Sequence, residues 1–208
     1  MNIFVLESPS PSDLLREVNE ANSLSSLGKM FGHRVVAFFL KNEGELVATI
    51  EYLAEFDLKD PEEDFFCFHF SCHGNDEGIA IGPNFIKWVD MFKILKPVFQ
   101  NKVFEDKSLL IISACGANRQ VLSNKINQAY ATPEEQFFPP SFIIAYDDEE
   151  VAWKDALLSW TLLYHWLGKN KPTRSTMQNL IKRMKGAGFG KLKYSRWDAE
   201  QKEYLKFS

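Results

Sequence analysis

Two kinds of apolar pattern alternate along the chain. Short, nearly unbroken apolar runs cover residues 2–6, 34–40, 65–72, 108–114 and 142–146. Their length and continuity predict strands covered on both faces, as in a parallel sheet. Between them, apolar residues recur at three- and four-residue spacing and predict helices. Ser10, Pro11 and Asp13 mark a helix start by N-cap, first-turn proline and first-turn carboxylate. Leu14, Leu15, Val18, Ala21, Leu24 and Leu27 continue it as one helix toward a stop at Gly28 or Gly32. Further helices are predicted over 43–56, 89–104, 117–130, 153–167 and 174–185, with Pro97 expected to kink or end the second of these. In the 153–167 helix, Leu157, Trp160, Leu163, Tyr164 and Leu167 share the inward face. Residues 75–78 form a turn ahead of a small hairpin, 79–81 with 85–88, and 190–207 a terminal hairpin. An acidic linker at 57–64 and a proline-containing loop at 132–141 complete the chain.

Strands alternating with helices predict an α/β fold of three layers, a mostly parallel central sheet with helices on both faces. The 208 residues suit a single domain, a core of 1–168 followed by a helix and hairpin at 169–208. An apolar share of 45% is ample for its interior. The net charge of −4 argues against nucleic acid or an acidic membrane as partner. No secretory signal is visible, and no apolar run is long enough to span a bilayer. Three cysteines cannot pair completely, so free thiols in a reducing cytoplasm are expected.

Two of the apolar runs end abruptly in a reactive side chain followed by glycine: the first in His73-Gly74, the second in Cys115-Gly116. Chemistry in open α/β sheets gathers beyond the carboxyl ends of the strands. If the two strands are neighbours, imidazole and thiol meet there as nucleophile and base. The backbone N–H groups of Gly74 and Cys115 are candidates for an oxyanion hole. No Asp or Asn is evidently placed as a third member, so a dyad is expected. Cys67 and Cys72 read as core residues, Cys72 pointing away from His73. A zinc site built on His69 and His73 finds no supporting ligand spacing. No cofactor is expected. His33 and His165 stand without an evident partner.

Ser71-Cys72-His73-Gly74 and Ile112-Ser113-Ala114-Cys115-Gly116 resemble the motifs of the caspase-like cysteine peptidases, stand-alone prokaryotic members included. The spacing of 42 residues is somewhat under the usual figure of about 50. The resemblance covers most of the chain and implies a caspase–hemoglobinase fold, with His73 as general base and Cys115 as nucleophile. It implies a protein or peptide substrate and a thioester intermediate. It also makes plausible a regulated effector role in antiviral defence, awaiting a partner or small ligand. Caspases carry glutamine and metacaspases aspartate two residues before the cysteine; here that position is Ser113. Aspartate specificity is therefore not supported. Part of the family's primary pocket is built from the end of the strand that here precedes Asp147-Asp148-Glu149-Glu150. Asp147 or Asp148, with Ser113, then becomes a candidate for binding a basic substrate side chain.

Two other readings compete. Phe4-Val5-Leu6-Glu7-Ser8 resembles the opening strand of Toprim domains, metal-dependent nucleic-acid enzymes, with Asp147 and Glu149 as the downstream acids. A caspase-like scaffold that binds without turnover is the other.

Overall fold

In the computed structural model, which describes residues 1–55, 65–117, 119–130, 136–146, 150–188 and 192–207, seven strands form one sheet. The chain begins with β1 (Asn2–Ser8), two helices α1 (Pro11–Leu15) and α2 (Glu20–Met30), then β2 (Arg34–Phe39) and α3 (Glu43–Ala54). Next come β3 (Phe66–Cys72), the hairpin β4 (Gly78–Ile81) and β5 (Asn84–Lys87), and α4 (Trp88–Gln100). β6 (Ser108–Ser113), α5 (Arg119–Tyr130), β7 (Phe142–Tyr146), α6 (Trp153–Leu167) and α7 (Arg174–Gly186) follow. The hairpin β8 (Leu192–Asp198) and β9 (Glu203–Phe207) ends the chain. The sheet order is β2-β1-β3-β6-β7-β8-β9, parallel through β7 and antiparallel beyond it.

Alternation along the strands builds the three layers. Phe66, Phe68, Phe70 and Cys72 of β3 face α3, α4 and α5, whereas Cys67 and His69 face α2, α6 and α7. Both faces of β1, β3, β6 and β7 are covered, which is why these strands read as continuous apolar runs.

Four expectations need correction. β2 is an edge strand, not a doubly covered one, and leaves Val36 and Phe39 exposed. The long helix after Ser10 is two helices, broken where Glu17 adopts a left-handed φ of 56°. Asn19 restarts the chain as a second N-cap, its side chain accepting the Asn22 N–H at 3.1 Å. As a result Leu14 and Leu15 face outward rather than into the core. Pro97 lies inside α4 without ending it. The bond it forfeits is that of the Lys93 carbonyl on the exposed side of the last turn, where water can replace it. Leu157 is only half-buried, and the inward face of α6 is completed by Ala156 and Ser159. The acidic linker and residues 132–135 of the loop at 132–141 lie outside the described residues.

Candidate active site

β3 and β6 are adjacent and parallel, and Ser71 pairs with Ser113 across them. His73 and Cys115 each stand two residues beyond that pair, so both emerge at the same rim of the sheet. They line one cavity of about 390 Å³ together with Tyr146, Val151 and Trp153. The Trp153 ring meets the His73 ring edge-on, with centroids 6.0 Å apart.

His73 has a carboxylate partner, contrary to the expected dyad. Its Nε2–H donates to Asp13 Oδ2 at 2.7 Å. The tautomer that satisfies this bond leaves Nδ1 with a lone pair. Asp13 is held in turn by its own N-cap: the Ser10 hydroxyl and Ser10 N–H donate to the same oxygen at 2.6 and 2.9 Å. The capping box that starts α1 thus aims a carboxylate at the imidazole. Burial opposes ionisation of Asp13, but the bonds from Ser10 and His73 outweigh it and hold the carboxyl below its usual range.

The Cys115 thiol lies against the backbone of Val151, whose N–H donates to Sγ at 3.4 Å. Cys115 is half-buried, whereas Cys67 and Cys72 are buried on opposite faces of β3. Burial pushes both of those thiols up, that of Cys67 to about 12. Gly74 packs against both the cysteine loop and the hairpin: a Cβ there would sit 3.0 Å from the Ala114 Cβ and from the Gly78 carbonyl oxygen. Its bridge to Ile79 is made through Asn75 N–H and the His73 carbonyl, so the Gly74 N–H takes no part in it.

Beneath the cavity runs a buried polar network that starts from Glu20, the first residue of α2. The Ser113 hydroxyl donates to Glu20 Oε1 at 2.8 Å and accepts the Trp160 indole N–H at 2.7 Å. His69 Nε2–H donates to Glu20 Oε2 at 3.0 Å, and the Tyr164 hydroxyl donates to His69 Nδ1 at 2.6 Å. Glu7 accepts the N–H groups of Glu20 and Ala21 at 2.8 and 2.6 Å. Burial pushes Glu7 up to about 7 against those two bonds, and the neighbouring Glu20 and Asp13 carboxylates add to the rise.

Of the residues expected at the site, the fold brings together His73, Gly74, Cys115 and Ser113. Ser113 is already engaged on both sides of its hydroxyl, and Asp147 and Asp148 lie outside the described residues. The glutamate of the Toprim-like motif, Glu7, anchors a helix N-terminus instead of facing the cavity. Among the described residues no group of three His, Cys, Asp or Glu side chains is arranged to hold a metal. His33 and His165 do have partners: His33 Nε2–H donates to the Tyr164 carbonyl at 2.8 Å, and His165 packs edge-on against Phe31.

Nothing in the apolar pattern marks Asp13 as a partner of His73, or Glu20 and Trp153 as residues of the cavity. The local signal for Asp13 was its place in the capping box, but that signal speaks of a helix start and not of a histidine 60 residues away.

Among solved structures the chain is similar to the crystal structure of drICE, a caspase, with a TM-score of 0.58. The match covers 99% of this chain and 90% of that one at 15% identity. The fold is caspase-like. No protein-family model matches the chain, and no curated protein does. Among the described residues, no helix is long and apolar enough to cross a membrane.

Proposed function

We propose that the protein is a cysteine endopeptidase in which His73 and Cys115 form the reacting pair and Asp13 orients the imidazole. The carrying observation is that both side chains line one cavity while His73 Nε2–H is fastened to Asp13. His73 Nδ1 takes the thiol proton and the sulfur attacks the scissile carbonyl carbon. For this the sulfur turns from the Val151 backbone toward the imidazole. The oxyanion forms against the N–H groups of Gly74 and Cys115. The imidazolium, its charge offset by Asp13, then protonates the leaving amine. Water, deprotonated by the same imidazole, hydrolyses the thioester and returns the thiol.

The substrate residue on the acyl side is basic in this reading. Asp13, Glu20 and Glu150 line the cavity, and no Lys or Arg is among its described lining residues. Asp147 and Asp148, which follow β7 in the sequence, remain candidates for the same basic side chain. A cytoplasmic effector of prokaryotic antiviral defence, released by a partner or small ligand, is the setting we propose on the motif resemblance.

Alkylation and cleavage test the assignment together. Iodoacetamide is expected to label Cys115 and spare buried Cys67 and Cys72, with parallel loss of cleavage across a peptide library rich in Arg and Lys. Labelling of Cys115 without cleavage under any condition would instead make the chain a binding scaffold.

A further inference from the structure

His73 is shared by two cavities. The first holds Cys115, as described above. The second, of about 640 Å³, also has His73 in its lining and does not include Cys115. Pro9, Pro11, Leu14, Phe39, Ala80 and Pro83 give it an apolar wall, with Lys41 at the rim. Helix α1 forms the ridge between the two, turning Asp13 to the first and Leu14 to the second.

The second cleft is built in advance by a tie among three loops. The buried Ser8 hydroxyl donates to the Leu40 carbonyl and accepts the Gly82 N–H, both at 2.9 Å, joining the ends of β1 and β2 to the β4–β5 turn. Gly82 has a φ of +56°, and a Cβ there would collide with the Lys41 carbonyl, so only glycine lets the turn close against the end of β2. Pro9, Pro11 and Pro83 stiffen the walls. Leu14 and Phe39, 54% and 45% exposed, are large apolar side chains that this scaffold holds in water. A preformed apolar concavity of this kind takes an apolar side chain with little ordering cost.

The chemistry dictates which part of a substrate comes here. The imidazole must reach both the sulfur and the leaving nitrogen. The acyl portion lies over Cys115, and the residue carrying the leaving nitrogen lies across the imidazole from it. We infer that the second cleft is the subsite for the residue immediately after the scissile bond, and that it selects a large apolar side chain such as Phe, Leu or Met. The inference rests on the peptidase reading and adds to it a second specificity element, so that the substrate class is a basic residue followed by a large apolar one.

Two measurements test it. In peptides of constant acyl side, Phe or Leu after the scissile bond is expected to raise kcat/KM about tenfold or more over Ala or Asp, the scale set by burying a large apolar side chain. The double substitution Leu14→Ser/Phe39→Ser is expected to flatten that ratio to within about twofold. An equal ratio in both proteins, or no preference in the unsubstituted one, overturns the subsite. Independently of turnover, Phe-Ala-Ala amide with a free N-terminus is expected to shift the NMR signals of Leu14 and Phe39 saturably, and Asp-Ala-Ala amide is not. No shift with the Phe peptide overturns the cleft assignment even if cleavage occurs. A saturable shift in a protein that neither cleaves nor alkylates at Cys115 overturns the peptidase reading and leaves the cleft as a peptide-binding site.

Discussion

Asp13 is the residue on which the proposed chemistry turns. Its side chain is short, is held by two donors from Ser10, and accepts the Nε2–H of His73. Asp13→Asn keeps the size of the side chain but offers a neutral oxygen to a developing imidazolium. Cleavage kinetics are expected to show a fall in kcat of roughly 10²-fold or more with KM nearly unchanged, because the charge matters after substrate is bound. Trp160 makes a quieter contribution. Its indole N–H donates to Ser113 in a buried site, and Trp160→Phe keeps most of the ring while removing that donor. Urea unfolding is expected to show a loss of about 1 kcal/mol from the missing hydrogen bond, with a further share from the smaller ring. A lone polar residue in a strand, such as His69 or Ser113, gave no hint of which helix would answer it.

At the scale of elements, the two short helices after β1 do more than cover the sheet. α1 is only five residues long, and its N-cap aims Asp13 at His73. α2 has its first N–H groups seated on Glu7 and its first side chain under the cavity. Glu7 therefore makes the stability of this corner depend on pH. Its pKa is raised from 4.5 to about 7, so between those values the folded protein binds a proton that the unfolded chain has lost. Its contribution is full below pH 4.5, declines as pH rises through that window, and is gone above about 7. The total is about 3 kcal/mol by linkage. Thermal melts from pH 5 to 8 are expected to show that decline on top of the other titrations, and Glu7→Gln to reduce it. The prediction of one long helix failed at this corner for a physical reason. Periodicity continued across Glu17, but two caps, the second joined by the buried Glu7 carboxyl, set two separate helix starts.

For the molecule as a whole, the order of the strands decides what each apolar run is worth. Ile111, in β6 at the centre of the sheet, is wholly buried, whereas Val36, in the edge strand β2, is 47% exposed. Ile111→Ala is expected to cost about 2–5 kcal/mol by chemical denaturation, and Val36→Ala less than about 0.5. The same order sets β3 beside β6 and so brings two reactive ends to one rim. The terminal hairpin extends this sheet beyond β7.

Apolar periodicity, caps and turn residues sufficed to tell strands from helices, and strand-ending His73-Gly74 and Cys115-Gly116 sufficed to pick out two side chains that the fold brings to one cavity, because these signals are local and carried by neighbours in the chain. Which strand lies at an edge, which acid meets His73, and which clefts flank it were settled only by folding. Those facts depend on contacts between residues such as Asp13 and His73, or Glu20 and Ser113, whose spacing along the chain leaves no periodic trace.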